Sequence, residues 1–232
     1  MLGLPDGIRA GLFDLDGVLT QTAKVHAQAW KQMFDEYLAS LPDPQPPFRL
    51  PDDYNEYVDG KPRLDGVRSF LESRSIDPAP ELVQELGTRK NELVLELIRS
   101  QGVEPYEGSI RYLEAARDAS LHRAVVSSSS NAREVLEAAG MLPFFEEIVD
   151  GLVAEREGLR GKPAPDSFLA GARALGVEPA EAAVFEDALA GVEAGRAGNF
   201  GFVVGVDRTG QADDLKARGA DIVVQDLAEL LE

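Results

Sequence analysis

The sequence predicts an α/β fold in which a parallel β-sheet is covered by helices and an all-helical segment is inserted after the first strand. From about residue 105 onwards, short strand-like runs alternate with helical stretches, which is typical of a parallel sheet covered on both faces. Between about residues 21 and 100 the chain shows helical periodicity and no strand pattern. Because one strand pattern precedes that stretch, the predicted sheet domain combines residues 1–21 and 100–232, and residues 22–99 form the insert.

The individual elements follow from local patterns. The opening strand ends at Phe13, and a helix is predicted over 22–38, where apolar residues recur at spacings of three and four. Four prolines within residues 42–47 exclude regular structure there. Two more helices complete the insert at 64–74 and 80–99. In the sheet domain we expect helices at 109–119, 132–139, 167–175, 188–197 and 213–218, and strands at 122–127, 148–149, 182–185, 202–206 and 222–224.

The composition bounds the class of protein. With 232 residues, 44% hydrophobic and 28% charged, the chain suits one globular domain with a substantial insert. The sequence has no apolar run near the ~20 residues of a membrane span, and its start lacks the pattern of a secretion signal, so no membrane partner is expected. The absence of cysteine excludes disulfides, thiolate metal sites and a cysteine nucleophile. A cytoplasmic location is the default expectation.

The net charge bears on the kind of ligand. A formal charge of −18 argues against nucleic acid as a partner, because binding to a phosphate backbone needs a basic surface. The overall field is screened beyond about 8 Å, however, so a small phosphorylated molecule could still bind where a few lysines and arginines converge.

Two carboxylates directly follow the first predicted strand. Asp14 and Asp16 are spaced i, i+2, which places both side chains on one face near the carboxyl end of the strand, and Gly17 then frees the backbone. Open α/β sheets bind their ligands at this edge. Two carboxylates so close repel each other unless a cation or a proton lies between them, so we predict a Mg²⁺ site, with Mn²⁺ as a possible substitute. Taken alone, the pair could equally be solvated acids at a strand end.

Polar groups also follow the later strands. Residues 127–131 form a run of serines ending in asparagine, before a helix whose N-terminus could bind an anion. Lys162 lies in a loop stiffened by two prolines, and Glu186 and Asp187 end another strand. Each signal alone has an ordinary explanation as a turn, a surface lysine or a helix cap. Their recurrence at the ends of successive strands is much less expected by chance.

Together these residues resemble the haloacid dehalogenase-like phosphotransferase superfamily. Its four motifs would be Asp14-Leu15-Asp16-Gly17-Val18, Ser127, Lys162 and Glu186-Asp187. Within the superfamily the chain is most similar to the β-phosphoglucomutase-like subfamily. That closer similarity rests on the opening Phe13–Ala23 with His26 and Trp30, on Arg89-Lys90-Asn91, on Ser127–Asn131 and on Gly161–Asp166.

The resemblance implies a Rossmann-like catalytic core with a small α-helical cap, the insert 22–99. It implies Mg²⁺-dependent phosphoryl transfer through an aspartyl-phosphate, converting β-glucose 1-phosphate into glucose 6-phosphate by way of the 1,6-bisphosphate, which would also serve as primer. Two alternatives stay open at this point: a phosphatase that hydrolyses a small sugar phosphate, and a non-catalytic protein that binds a phosphosugar. We expect a monomer.

The resemblance also implies roles for single residues. Asp14 would be the nucleophile and Asp16 the general acid and base, while Ser127 and Lys162 would neutralise the transferring phosphoryl group. The metal would be held by Asp14, the backbone carbonyl of Asp16 and Asp187, with Glu186 nearby, either as a further ligand or behind the ligands. The expected substrate-binding residues are His26, Trp30, Arg63, Lys90, Ser128, Ser129 and Asn131. Without the resemblance, Arg63 and Lys90 would read as exposed charges and His26 as an ordinary helix residue.

The chain departs from the family pattern at several positions. Gln21 replaces a common acid, Ser130 stands where a lysine is frequent, and Ala188 replaces a serine or threonine. The proline-rich segment 41–52 reads as an insertion. These departures leave the expected phosphoryl transfer intact and leave the identity of the sugar phosphate open.

Overall fold

In the computed structural model, residues 2–231 are described, and within them six strands form one parallel sheet. The strands are β1 (Ala10–Phe13), β2 (His122–Val126), β3 (Glu147–Val149), β4 (Ala182–Glu186), β5 (Phe202–Val206) and β6 (Ile222–Val224). They are ordered β3-β2-β1-β4-β5-β6. The predicted α/β fold with a parallel, Rossmann-like sheet is confirmed.

The first strand lies at the centre of the sheet. All four residues of β1 are buried, and it pairs in parallel with β2 on one side and β4 on the other, with Phe13 opposite Val125 and Phe185. The sheet therefore extends from β1 in both directions, with β2 and β3 on one side and β4, β5 and β6 on the other. Such a switch point opens a crevice beyond the carboxyl ends of the strands, and ligands of α/β sheets bind there. The residues that follow β1 and β4 consequently lie at the edge of this crevice.

Nine α-helices accompany the strands in the described part of the chain. They are α1 (Ala23–Ser40), α2 (Arg63–Ser73), α3 (Pro80–Gln101), α4 (Glu107–Asp118), α5 (Ala132–Ala138), α6 (Gly151–Glu157), α7 (Asp166–Ala174), α8 (Leu189–Ala197) and α9 (Ala212–Arg218). The sequence analysis missed α6, because seven residues with mixed exposure carry little periodicity. It also missed single turns at Tyr54–Val58, Leu142–Phe144, Pro179–Glu181 and Leu227–Leu231.

None of these helices, within residues 2–231, is long and apolar enough to span a bilayer.

The insert has a hydrophobic cluster of its own, built around aromatic rings. The ring of Phe34 lies 5.3 Å from Trp30 and 4.1 Å from Phe70, measured between ring centroids. Phe48, from the proline-rich segment, also stacks on Phe34 at 5.2 Å. This separate cluster supports the division into core and cap. The exact boundaries between them stay a prediction, since α3 continues to Gln101, two residues past the expected end of the cap.

The proline-rich segment is fastened to the helices of the insert. The backbone N–H of Phe48 donates to the Asp35 carboxylate at 2.8 Å, and Arg74 donates to the carbonyl of Pro46 at 2.9 Å. Asp53, which follows the segment, is buried and accepts hydrogen bonds from both Arg49 and Arg74. Because Phe48 fills the aromatic cluster, the segment forms part of the packing of the insert and leaves the sheet edge free.

Candidate active site

A cavity of about 720 Å³ lies between the carboxyl edge of the sheet and the insert. This volume falls within the range of sites that bind small molecules. Of the site residues predicted from the sequence, all but one line this cavity: Asp14, Asp16, His26, Trp30, Arg63, Lys90, Ser127, Ser128, Ser129, Asn131, Lys162 and Asp187. The exception is Glu186, whose side chain is fully buried behind Lys162.

Lys162 is clamped between two carboxylates. Its Nζ donates to Asp14 Oδ1 and to Glu186 Oε1, both at 2.6 Å, and to the carbonyl of Val126 at 3.2 Å. The ammonium also lies 4.8 Å from the centre of the Phe168 ring. Three acceptors match the three N–H donors of an ammonium, so the side chain is held in one position although it is almost completely buried.

The charge state of this group follows from its neighbours. Burial alone would lower the pKa of Lys162, but the adjacent carboxylates of Asp14 and Glu186 outweigh it and hold the pKa above its ordinary value. Burial likewise raises the pKa of Asp14 and of Glu186, and the Lys162 ammonium opposes that rise. Lys162 is therefore charged at neutral pH, and it is the cation that favours an ionised Asp14 in a water-poor site.

Three carboxylates at this edge could hold a metal ion. Asp14, Glu186 and Asp187 each offer an oxygen, and these oxygens lie within 4.8 Å of one another. Burial raises the pKa of Asp187, and the neighbouring carboxylates raise it further. A bound cation would relieve that repulsion, and a set made only of oxygen donors fits Mg²⁺ or Mn²⁺. The side chain of Asp16 lies outside this set, and the predicted role of its backbone carbonyl as a ligand stays a prediction.

The glycine of the first motif makes room for Asp187. Gly17 has a φ of +84°, and a Cβ built on it would lie 1.7 Å from Asp187 Oδ2. We expect Gly17→Ala to displace that carboxylate and to weaken Mg²⁺ binding at least about tenfold, the effect of losing one oxygen ligand worth ~1.4 kcal/mol. Titration calorimetry with Mg²⁺ measures this effect.

The matched control for Gly17→Ala is Gly7→Ala. Gly7 has a similar φ of +91°, and nothing lies within 4 Å of the position of its Cβ. In both variants an alanine must adopt a left-handed backbone conformation, which costs about 1 kcal/mol, but only in Gly17→Ala does the new Cβ clash with a carboxylate. Equal Mg²⁺ affinities in the two variants would contradict the placement of Asp187 in the metal site.

The side chain of Asp16 is engaged by the first helix of the insert. The Thr22 hydroxyl donates to Asp16 Oδ1, and His26 Nε2 lies 3.6 Å from the same oxygen. On the other side of the imidazole ring, Nδ1 lies 2.9 Å from Lys90 Nζ. Burial lowers the pKa of His26, and the Lys90 charge lowers it further, so the imidazole is neutral. A neutral ring that accepts from Lys90 at Nδ1 carries its proton on Nε2, facing Asp16.

Lys90 is held within the insert and is almost fully buried. Its Nζ lies 4.9 Å from the Trp30 ring centre, a cation–π distance, as well as against His26. Burial lowers the pKa of Lys90 to about 7, although the Asp16 carboxylate opposes that fall. Trp30 and His26 thus position the Lys90 amino group at the cavity wall, where a pKa of about 7 leaves it partly charged at neutral pH.

Arg63 reaches the cavity from the start of α2. Its Nη1 donates to Asn91 Oδ1 at 2.6 Å, and Asn131 Nδ2 donates to the same oxygen at 3.0 Å. Arg63 and Asn91 belong to the insert, whereas Asn131 follows β2 in the sheet domain. The Asn91 amide oxygen therefore accepts hydrogen bonds from both walls of the cavity.

The serine run connects the same two walls. The Ser127 hydroxyl accepts from the backbone N–H of Ser129 at 3.1 Å, and the Ser129 hydroxyl accepts from the N–H of Asn131 at 3.2 Å. Ser128 differs, since its hydroxyl donates to the carbonyl of Gly60 in the insert at 2.8 Å. In this arrangement Ser128 joins the insert to the sheet domain.

Several polar residues of the cavity wall were not predicted from the sequence, and Tyr54 and Asp59 are two of them. The Tyr54 hydroxyl lies close to the Asp59 carboxylate. Burial raises the pKa of Asp59 to about 7. The only signal was an acid before the turn Gly60-Lys61-Pro62, where an exposed carboxylate is the ordinary expectation.

Comparisons with known proteins agree with this geometry. A family model described as haloacid dehalogenase-like hydrolase matches residues 8–199. The chain is 55% identical to a β-phosphoglucomutase of Mycobacterium tuberculosis, over 100% of this chain and 94% of that protein. It is 32% identical to hexitol phosphatase A of Escherichia coli, over 94% of this chain and 91% of that protein. A crystal structure of β-phosphoglucomutase from Clostridium difficile matches with a TM-score of 0.79 and 28% identity, over 96% and 93% of the two chains.

The resemblance inferred from the four motifs is therefore confirmed, and with it the expectation of an enzyme. The family match covers most of the chain, and the mycobacterial relative extends the similarity through the insert to both ends. The chain belongs to the haloacid dehalogenase-like hydrolase family and, within it, to the β-phosphoglucomutase-like group.

Proposed function

We propose that this protein is a Mg²⁺-dependent β-phosphoglucomutase, which converts β-glucose 1-phosphate into glucose 6-phosphate through glucose 1,6-bisphosphate. The observation that carries the proposal is the presence of cations from both sides of one cavity: Lys162 beside Asp14, and Arg63 with Lys90 from the insert. A mutase must hold two phosphates of one sugar at once, and a single cationic site would serve only one. The 55% identity to a mycobacterial β-phosphoglucomutase supports the same conclusion.

Asp14 is the proposed nucleophile. Its carboxylate oxygen attacks phosphorus, a new P–O bond forms, and the bond from phosphorus to the sugar oxygen breaks. The resulting aspartyl-phosphate divides one difficult transfer between two sugar oxygens into two easier steps. Glucose 1,6-bisphosphate would load the enzyme in the first cycle as primer, leaving a glucose monophosphate.

Asp16 is the proposed general acid and base. Burial raises its pKa, although the hydrogen bond from Thr22 opposes that rise, and a raised pKa suits a carboxyl group that must give up a proton. Asp16 protonates the departing sugar oxygen and later takes a proton from the attacking hydroxyl. Thr22 orients it for both steps.

The residues around Asp14 neutralise the transferring phosphoryl group. Lys162 already donates to Asp14 Oδ1, and Ser127 lies at the end of the neighbouring strand β2. Mg²⁺, held by Asp14, Asp187, Glu186 and the Asp16 carbonyl, would supply positive charge against the phosphoryl oxygens.

Arg63, Lys90, Ser129 and Asn131 are the proposed distal phosphate site. In the structure, Arg63 and Asn131 both donate to Asn91 Oδ1, which shows that their donors converge on one small region. A phosphate oxygen offers stronger acceptors than an amide oxygen, and the planar fork of arginine can engage two of them. The departure at Ser130 removes a candidate ligand of this site and leaves these four.

The main rival is a phosphatase with the same Asp14 chemistry and water as acceptor, as the similarity to hexitol phosphatase A allows. The deciding experiment supplies purified protein with Mg²⁺, β-glucose 1-phosphate and a small amount of glucose 1,6-bisphosphate. Glucose 6-phosphate and free phosphate are then followed side by side. We expect glucose 6-phosphate to form with little phosphate release, and phosphate alone would establish the phosphatase.

A binding protein without catalysis is the third candidate. Treatment with beryllofluoride and Mg²⁺ tests it, because an ionised, accessible Asp14 forms a stable adduct. We expect that adduct, and its absence together with tight sugar phosphate binding would favour the third candidate. The monomeric state and the cytoplasmic location stay predictions.

Arg63→Ala tests the distal site directly. We expect kcat/KM for β-glucose 1-phosphate to fall by about 10²-fold, because each charge-assisted hydrogen bond to phosphate contributes ~1.5–3 kcal/mol. Phosphorylation of the enzyme by acetyl phosphate, which has no second phosphate group, is expected to fall far less. Arg99→Ala on α3 is the matched control, since Arg99 is exposed and lies outside the cavity wall. Equal losses with both phosphate donors would show that Arg63 acts elsewhere.

A further inference from the structure

Asp59 is a carboxylate in the cavity wall that the proposed chemistry does not use. It follows the single turn Tyr54–Val58 and lines the same cavity as Asp14 and Asp16. Its backbone N–H donates to the carbonyl of Tyr54 at 3.0 Å, and the Tyr54 hydroxyl lies close to its side chain. The end of this turn thus presents a carboxylate beside a tyrosine hydroxyl.

The loop that carries Asp59 is seated on the sheet domain. The carbonyl of the next residue, Gly60, accepts the hydrogen bond from Ser128 at 2.8 Å. A Cβ on Gly60 would lie 2.8 Å from the Cβ of Ala188, so the backbones approach as closely as a glycine allows. The loop therefore places Asp59 near Asp14 and Asp187, at the reacting end of the cavity, whenever the insert is seated on the sheet.

The charge of Asp59 restricts what it can bind. Its neighbours include the carboxylates of Glu186 and Asp16, so Asp59 itself contributes no positive charge that could bind a phosphate. It is also outside the set of three carboxylates whose oxygens lie close enough to share a metal. The remaining polar groups of a sugar phosphate are hydroxyls, and a carboxylate is a strong acceptor for an O–H donor.

We propose that Asp59 determines sugar specificity: its carboxylate accepts a hydrogen bond from one ring hydroxyl of the sugar held between the two phosphate sites. This inference rests on the proposed function, because it takes the ligand to be a sugar phosphate. Tyr54 is a positioning residue that keeps the carboxylate turned towards the ring.

The proposal is tested by a thermodynamic cycle in which a side chain of the enzyme and a hydroxyl of the substrate are removed separately and together. The kcat/KM values of the wild type and of Asp59→Ala are measured for β-glucose 1-phosphate and for its 2-deoxy, 3-deoxy and 4-deoxy analogues. For one analogue we expect the wild type to lose at least about tenfold relative to glucose, while Asp59→Ala no longer distinguishes the two sugars. If Asp59→Ala discriminates against every analogue as strongly as the wild type does, the proposal is wrong.

Two further variants keep the test decisive. Tyr54→Phe leaves the carboxylate in place and removes only the hydroxyl beside it, so we expect partial loss of discrimination on the same analogue, even if Asp59→Ala fails to fold. Unchanged discrimination in Tyr54→Phe would contradict the positioning role. Asp65→Ala removes an exposed carboxylate at the rim of the same cavity and is expected to keep the wild-type pattern.

The result for Asp59 can be distinguished from the result for the proposed mutase activity. Should the wild type release only phosphate from these sugars, the mutase is excluded, and the same cycle read by phosphate release still reports whether Asp59 contacts a hydroxyl. Should glucose 6-phosphate form while the cycle shows no coupling, the mutase stands and Asp59 has no part in sugar recognition.

Discussion

Asp14→Asn is expected to lower kcat by a factor on the order of 10⁴ or more, because the amide cannot attack phosphorus and no aspartyl-phosphate can form. Asparagine has nearly the same shape, and Lys162 keeps its other carboxylate, Glu186, at 2.6 Å. The variant should therefore fold. Intact mass after exposure to acetyl phosphate measures the reaction, and we expect the wild type to gain one phosphoryl group and the variant none.

Asp16→Asn is the matched control for the nucleophile. It removes a carboxylate two residues away, in the same motif and cavity. Acetyl phosphate has a good leaving group that needs little protonation, so Asp16→Asn should still be phosphorylated on Asp14 while turnover of the sugar phosphate falls about 10²–10⁴-fold. Phosphorylation of Asp14→Asn with loss of phosphorylation in Asp16→Asn would reverse the two roles.

The sequence located the reacting edge because that edge is set by short-range rules. Asp14 and Asp187 follow predicted strands, and the carboxyl ends of parallel strands meet at one edge whatever the helices do. Lys162 was expected just beyond a strand as well, but in the structure α6 lies between β3 and the loop that carries it. The lysine reaches this edge through that loop, and it binds Asp14 148 positions away.

Long-range contacts within the insert, and between the insert and the sheet, could not be predicted in this way. Lys90 meets His26 across 64 positions, and Asn131 meets Asn91 across 40. Both contacts depend on how the helices of the insert pack and on how the insert is seated, which periodicity does not encode. Asp59 was missed for the same reason, because burial by a second structural unit turns an ordinary turn residue into part of a cavity wall.

Lys162→Met is expected to destabilise the metal-free protein by about 3–5 kcal/mol, the usual cost of removing one partner from a buried ion pair. Methionine fills a similar volume, but Asp14 and Glu186 then lose the ammonium that lies 2.6 Å from each of them. Urea unfolding in EDTA measures the loss. The exposed Lys216→Met on α9 is the control and should lie within about 0.5 kcal/mol of the wild type.

The pH dependence of that loss identifies its cause. Burial already raises the pKa of Asp14 to about 6 and that of Glu186 to about 7 with Lys162 present, and without the ammonium both pKa values rise further. Carboxyl groups with a raised pKa hold more protons in the folded state than in the unfolded state, so stability falls as pH rises. The gap between Lys162→Met and the wild type should thus be small at pH 5 and widen by pH 8, and Glu186→Gln added to Lys162→Met should recover part of it at pH 8. A gap that is the same at both pH values would mean that lost packing, and not two unpaired carboxylates, accounts for the destabilisation. In that case Lys162 would not be the group that keeps Asp14 ionised for attack.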